Sequence, residues 1–344
     1  MKATVLGSNG YGGMLLLRIL ASHPEIDTIV PSSRSQAGMQ TLDVDTSLPM
    51  EMVRRRVIAP TVLSPDEALQ QPGDIVFSAL PHGASAEVCE PILGRVPVID
   101  LSADFRFADE ERFSGAYGLP RPAPAHQDAA VYGLVEWNRD AIPGAKIIAN
   151  PGCYPTAALL PLLPLVAEGI VTGRVIINAM SGITGAGRTA KVNTLFGERT
   201  ENVNAYNPGT LHRHHAEIAE QIGLAGGDGV GETALFTPHL APLKQGMAVT
   251  TVVPMEEPRR GPALLRDRYA TERFVELTGE RPPETREVRG TNRIRIGWRI
   301  ESDALIVMSV IDNLWKGASG QAVQNMNVLF GFDEELGLLR TGDL

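Results

Sequence analysis

The sequence is poor in cysteine, with two thiols, Cys89 and Cys153, in 344 residues. Two cannot build a disulfide framework or hold a structural zinc by themselves, so no metal site is expected. Whatever chemical part they take, they take as thiols. Long apolar runs are also lacking, none approaching the roughly 20 residues of a membrane-spanning helix. Met1-Lys2 leads straight into the strand-like Ala3-Thr4-Val5-Leu6 without a hydrophobic leader, and a cytoplasmic protein is expected. Positive charge is short as well. Lys+Arg number 31 against 40 Asp+Glu, a net charge of −9 that argues against non-specific nucleic-acid binding. Aromatics make up 5%, whereas 35 Gly and 25 Pro point to tight turns and backbone-lined clefts. The length suffices for two domains.

Residues 1–30 read as a β-turn-α-β unit: Ala3–Leu6, a glycine loop, a periodic helix Met14–Leu20, then Thr28-Ile29-Val30. Short apolar runs at Ile75–Leu80, Val96–Asp100 and Ile147–Ala149 fit strands buried on both faces, so this half is expected to be doubly wound around a parallel sheet. An apolar helical stretch, Thr156–Glu168, follows Pro151-Gly152; its Pro161 and Pro164 are expected to kink or shorten it. Beyond it, Val175–Met180, Ala234–Pro238, Ala248–Val253, Arg293–Arg299 and Ala304–Val310 are β-rich and partly alternating, the mark of half-exposed antiparallel strands. The expected architecture is α/β: a doubly wound Rossmann-type dinucleotide-binding domain with a second α+β domain on a mixed or antiparallel sheet. A helical pattern at Gly317–Leu329 could pack on either domain.

Gly7-Ser8-Asn9-Gly10-Tyr11-Gly12-Gly13 lies between strand and helix, where backbone N–H groups and a helix N-terminus meet a pyrophosphate. An NAD site would place Asp or Glu about 20 residues after this loop to bind the ribose 2′-OH. This chain offers Ser32-Ser33-Arg34-Ser35 instead, and hydroxyls beside a guanidinium suit the 2′-phosphate of NADP. The alternative is a solvated loop with a surface Arg. His82, in Leu80-Pro81-His82-Gly83, follows a strand at a place where doubly wound sheets line the cofactor cleft.

Cys153, in Asn150-Pro151-Gly152-Cys153-Tyr154-Pro155-Thr156, stands where a turn enters a helical run; the positive end of a helix dipole favours the thiolate and makes a nucleophile. Cys89 lies in an amphipathic stretch and is assigned to packing. A thiolate needs an acid/base partner, and His212-Arg213-His214-His215 is the densest source. Arg213, Arg106 in Ser102–Arg106 and Arg188 in Ser181–Arg188 compete to bind an anionic substrate group. An NADP site, a nucleophilic thiol and a histidine together fit hydride transfer joined to a covalent thioester.

These residues resemble the N-acetyl-γ-glutamyl-phosphate reductase family, relatives of aspartate-semialdehyde dehydrogenase. The likeness runs through Gly7–Gly13, Ala79–Gly83, Asp100–Arg106, Asn150–Thr156, Ser181–Arg188, Leu211–Ile218 and Asp312–Asn327, and Asn-Pro-Gly-Cys-Tyr-Pro-Thr is its most specific part. Arg121 and Val135 depart from the family pattern, away from the proposed catalytic positions. The resemblance implies reduction of N-acetyl-L-glutamyl 5-phosphate by NADPH, with Cys153 as nucleophile and His214 as acid/base, His212 in reserve. It implies further cofactor contacts at Leu80, Pro81, Gly182, Gly185 and Asn313, and substrate contacts at Asn150 and Ser181. It implies a homodimer or homotetramer, and domains at 1–152 plus 317–344 and at 153–316. Another thiol-dependent semialdehyde dehydrogenase, or an NADP-sensing regulator without turnover, are the alternatives.

Overall fold

A computed structural model of the chain describes residues 1–227 and 229–338; positions 339–344, the end of the expected 317–344 return, lie outside the described residues. Two compact units emerge.

The first comprises Met1–Ala108, Leu119–Pro151 and the described residues from Ala318 onward. Its strands are β1 (Lys2–Leu6), β2 (Thr28–Ser32), β3 (Ile75–Ser78), β4 (Val98–Asp100), β5 (Ala130–Tyr132) and β6 (Ile147–Ala149). They pair in parallel in the order β2-β1-β3-β4-β6-β5. The short apolar runs end up in the centre: β3, β4 and β6 are buried along their whole lengths, as strands covered on both faces must be. β1 has β2 on one side and β3 on the other, so the chain reverses direction across the sheet beside the glycine loop. The helix Gly320–Phe330 belongs to this unit, preceded by a π-turn at Trp315–Ser319. Ser319 Oγ donates to Gly12 O at 2.8 Å, and Asn325 Nδ2 to Gly133 O at 2.8 Å, which accounts for the amide-rich sequence of that helix.

The second unit holds Gly152–Gly317 together with Asp109–Gly118. That ten-residue piece lies inside the sequence range expected for the first domain. It joins the second because Phe113 of the Glu110–Tyr117 helix is buried, Arg112 pairs with Glu232, and Arg213 sits 5.7 Å from the centre of the Tyr117 ring. The strands are β7 (Ile176–Ser181), β8 (Asn204–Ala205), β9 (Leu235–Leu240), β10 (Met247–Pro254), β11 (Val275–Gly279), β12 (Ile294–Ile300) and β13 (Ala304–Ile311). Their order is β11-β12-β13-β10-β7-β9-β8, mixed, with β7–β9 and β11–β12 parallel.

On this sheet packs the helix Cys153–Ala167, buried from Tyr154 to Val166. It runs unbroken through Pro161 and Pro164, contrary to the expected shortening. Each proline removes an N–H and orphans the carbonyl four residues earlier. Both orphans have partners: Ser309 Oγ on β13 donates to Ala157 O at 2.7 Å, and the Tyr269 hydroxyl donates to Leu160 O. The sheet and a neighbouring helix thus replace the two bonds the prolines forfeit.

Candidate active site

In the first unit the glycine loop leaves the helix Tyr11–Ala21 with an uncapped end. Gly10 at the N-cap has no side chain, and no acidic residue occupies the first turn, so its N–H groups are available to an anion. Gly7 adopts φ +73°, and a Cβ there would lie 2.5 Å from Ala79 O, so only glycine lets the loop pass β3. The loop is tied to the end of β2. Ser8 donates to Ser32 O through both N–H (2.9 Å) and Oγ (3.0 Å), and Asn9 Nδ2 donates to Ser35 Oγ at 3.3 Å. Ser33 is buried beside Ser35, and Arg34 is exposed. An open helix end next to two hydroxyls and a guanidinium fits the pyrophosphate and 2′-phosphate of NADP.

The loop after β3 is held by carboxylates. Asp104 accepts from Gly83 N–H (2.6 Å) and Ala86 N–H (3.0 Å); Asp100 accepts from Ser85 and Ser102 hydroxyls, both at 2.6 Å. Burial, then the nearby Asp104, pushes Asp100 up to about 6. His82 accepts Ala103 N–H on Nδ1 at 2.9 Å, which fixes its ring; Leu80 is half-buried and Pro81 exposed on the same loop. Cys89, pushed up to about 12 by burial and then Asp100, is inert packing, as its sequence context suggests.

Arg106 and Asn150 also lie in this unit and are engaged internally. Arg106 donates to Asn150 O and Leu101 O, each at 2.8 Å, bracing the ends of β4 and β6. The Asn150 amide donates to Ala318 O and accepts from Asn325, each at 3.2 Å.

In the second unit Cys153 is the first residue of its helix, three positions before the expected start, and is partly exposed. Gly152 N–H donates to the buried Glu217 Oε1 at 2.9 Å, Thr156 N–H closes the first turn on Gly152 O at 2.9 Å, and Pro155 has no N–H. Tyr154 N–H lies in the first turn of the helix, where no intrahelical carbonyl precedes it. Gly317 explains how close the chain runs here: a Cβ on it would lie 2.7 Å from Cys153 Cβ.

Cys153 opens into a cavity of about 510 Å³ also lined by Ser181, Gly185, His212, Arg213 and His214. Gly182 lies beside it, its N–H donating to Gly246 O at 2.8 Å. Arg188 is exposed and not among the lining residues, and Asn313 accepts Gly246 N–H (2.7 Å) while donating to Thr184 Oγ1 (3.0 Å). The two histidines are not equivalent. His212 caps its helix, accepting His214 N–H on Nδ1 at 3.1 Å, so the proton of its neutral ring sits on Nε2. Burial, then Arg213, lowers its pKa to about 4. The acceptor nitrogen of the neutral ring is thus engaged by backbone. His214 lies in the same wall, its ring 5.0 Å from His212 and 5.8 Å from Tyr154. His215 is structural, donating Nε2–H to Ala234 O at 3.1 Å.

Sequence reasoning missed Tyr154, Tyr206, Arg199 and Glu217. The Tyr206 hydroxyl donates to that of Tyr154 at 3.1 Å, which donates to His239 O at 3.2 Å. Burial raises both phenols, Tyr206 to about 12, so they remain protonated donors. Glu217 had a signal: it lies one helical turn past His214 on the face that turns inward.

The semialdehyde dehydrogenase NAD binding domain matches residues 2–145, and the semialdehyde dehydrogenase dimerisation domain matches 153–313. N-acetyl-gamma-glutamyl-phosphate reductases are similar along the whole chain. The protein from Azotobacter vinelandii is 45% identical, and that from Marinobacter nauticus 43%, each over 98% of both chains. The chain belongs to the N-acetyl-γ-glutamyl-phosphate reductase family. In fold it matches aspartate semialdehyde dehydrogenase II of Vibrio cholerae (TM-score 0.71, 17% identity, 96% of this chain and 98% of that one). The enzyme of Candida albicans, solved with NADP, is also similar (TM-score 0.66, 16% identity, 95% and 97%). The expected α/β architecture, Rossmann-type sheet plus a second mixed sheet, is the one observed. Among the described residues no helix is long and apolar enough to cross a membrane.

Proposed function

We propose that this chain reduces N-acetyl-L-glutamyl 5-phosphate to N-acetyl-L-glutamate 5-semialdehyde and phosphate, with the first unit binding NADPH and the second performing the acyl chemistry. The observation that carries this reading is Cys153 at the head of an uncapped helix, in a pocket that His214 and cationic side chains also line. Cys153 Sγ attacks the acyl carbon, the C–O bond to phosphate breaks, and a thioester forms on the protein as phosphate leaves. His214 takes the thiol proton, and Tyr154 N–H faces the oxyanion as the helix dipole steadies the thiolate. The glycine loop with Ser33, Arg34 and Ser35 would hold NADPH, which when bound would supply the hydride for reduction. His214 then returns a proton as the carbon–sulfur bond breaks and the aldehyde departs.

The test is the reverse reaction: NADPH absorbance with N-acetylglutamate semialdehyde, phosphate and NADP, with NAD as control. Wild type forms NADPH only with phosphate present, and Cys153→Ser loses at least about 10³-fold in rate while still binding NADP. Near-wild-type turnover in Cys153→Ser refutes the covalent route.

The dimerisation domain points to a homo-oligomer, and we assign its contact to the exposed face of the second sheet. Leu235, Ile176, Val252 and Ile306 lie side by side across β9, β7, β10 and β13, and Ile176 and Leu235 are 39% and 42% exposed. An apolar row of that width is what a second copy covers. The cytoplasmic assignment belongs to the same proposal, and two thiols outside any disulfide are compatible with a reducing compartment.

A further inference from the structure

The Cys153 pocket gathers Lys191, Arg199 and Arg213, with no Asp or Glu among its described lining residues. The three cations differ in kind. Lys191 and Arg213 are exposed, free to follow a ligand in and out. Arg199 is 4% exposed and fixed in place. Its Nη1 donates to Asn204 Oδ1 at 2.5 Å and Leu240 O at 3.3 Å, and its Nη2 and Nε donate to Asn193 O at 3.0 and 3.3 Å. All these acceptors are neutral, and no carboxylate among the described residues pairs with it. Four of the five guanidinium N–H groups are used, which leaves one on Nη2. A guanidinium removed from water without a counter-charge is costly unless an anion completes it.

We propose that Arg199 is the residue that selects the substrate, by binding its α-carboxylate, while the departing phosphate is handled by Arg213 and Lys191. This rests on the reaction assigned above. The substrate carries two anionic groups with opposite requirements. Its α-carboxylate is unchanged by the reaction and has to keep the chain in register through both half-reactions, for which a rigid, buried cation is suited. The phosphate must escape into water once its bond to the acyl carbon breaks, for which exposed, flexible cations are suited. The anchor is rigid because β8 and β9 set it: Asn204 pairs with Leu240 in register, and these two residues supply both Nη1 acceptors.

The test compares N-acetylglutamate semialdehyde with its α-carboxamide, in the phosphate- and NADP-dependent direction, for wild type, Arg199→Gln and Arg199→Lys. Wild type is expected to prefer the carboxylate by roughly 10- to 100-fold in kcat/KM, the worth of one buried charge-assisted contact. Arg199→Gln brings the carboxylate down to the carboxamide's value with KM for phosphate unchanged, and Arg199→Lys keeps part of the preference. Three results overturn the assignment: wild type using both aldehydes alike, Arg199→Gln losing both equally, or Arg199→Gln raising KM for phosphate instead. If Arg199→Gln does not fold, the wild-type comparison and Arg199→Lys still decide. A wild type that forms no NADPH from the semialdehyde overturns the proposed reaction itself, whereas an active wild type whose preference survives in Arg199→Gln overturns only the role of Arg199.

Discussion

The helix that presents Cys153 contains two prolines, and its integrity is a quantitative matter. Ser309 is buried, and its hydroxyl reaches Ala157 O at 2.7 Å, the carbonyl that Pro161 leaves without its helical partner. Ser309→Ala strands that carbonyl in a dry interior, at a cost of about 1–3 kcal/mol. Pro161→Ala restores an N–H four residues on, which takes over Ala157 O. In that background Ser309→Ala should cost little beyond its own lost hydroxyl, giving a coupling of about 1 kcal/mol or more, above the roughly 0.5 kcal/mol expected of independent sites. The Tyr269 hydroxyl provides the control, because it serves Leu160 O, orphaned by Pro164. Pro161→Ala should not rescue Tyr269→Phe, and Pro164→Ala should. The assay is native-state hydrogen exchange of peptides covering 153–167, which reads the local opening free energy of this helix directly. Equal costs for Ser309→Ala in the wild type and in the Pro161→Ala background would refute the idea that β13 repairs the helix.

Two further predictions concern the same unit. His212 is held near pKa 4 in the folded chain against 6.5 for an ordinary histidine, so the unfolded chain binds its proton first. The unfolding free energy is therefore full above about pH 6.5 and falls as pH drops toward 4, by on the order of 3 kcal/mol. His212→Asn keeps an N-cap acceptor but does not titrate there, so urea unfolding at pH 8 and pH 5 should show a smaller loss in the variant; an equal loss in both contradicts the assignment. Val252→Glu, in the middle of the apolar row on the exposed sheet face, should shift sedimentation toward the monomer without unfolding the domain. An unchanged oligomer would place the contact elsewhere.

The parallel sheet was legible because its signals are local: short apolar runs, a glycine loop and a helix period each need only a few neighbouring residues. Cys153 was legible for the same reason, since Pro-Gly before it and an apolar run after it mark a helix start. Its position as the first helical residue was hidden by Pro155, which reads as a breaker but is harmless in a first turn, where the missing N–H has no helical acceptor. The continuity of the helix through Pro161 and Pro164 could not be read at all, because the compensating hydroxyls come from Ser309 and Tyr269, more than a hundred residues away.

The arginines show where sequence reading stops. Arg106, Arg188, Arg199 and Arg213 carry the same group, and the motifs around Arg106, Arg188 and Arg213 put those three forward for an anion. In the fold Arg106 is occupied by carbonyls at strand ends, and Arg188 faces outward from a loop. Arg199 sits in an unremarkable Gly197-Glu198-Arg199-Thr200, yet it is buried in the wall of the pocket because Asn193, Asn204 and Leu240 converge on it from three segments. What makes an arginine a binding group is the charge left uncompensated around it, and that is a property of tertiary neighbours. The histidines follow the same logic. His212 and His214 differ by two positions, but His212 accepts a backbone N–H on Nδ1, and only the folded helix N-terminus makes that bond.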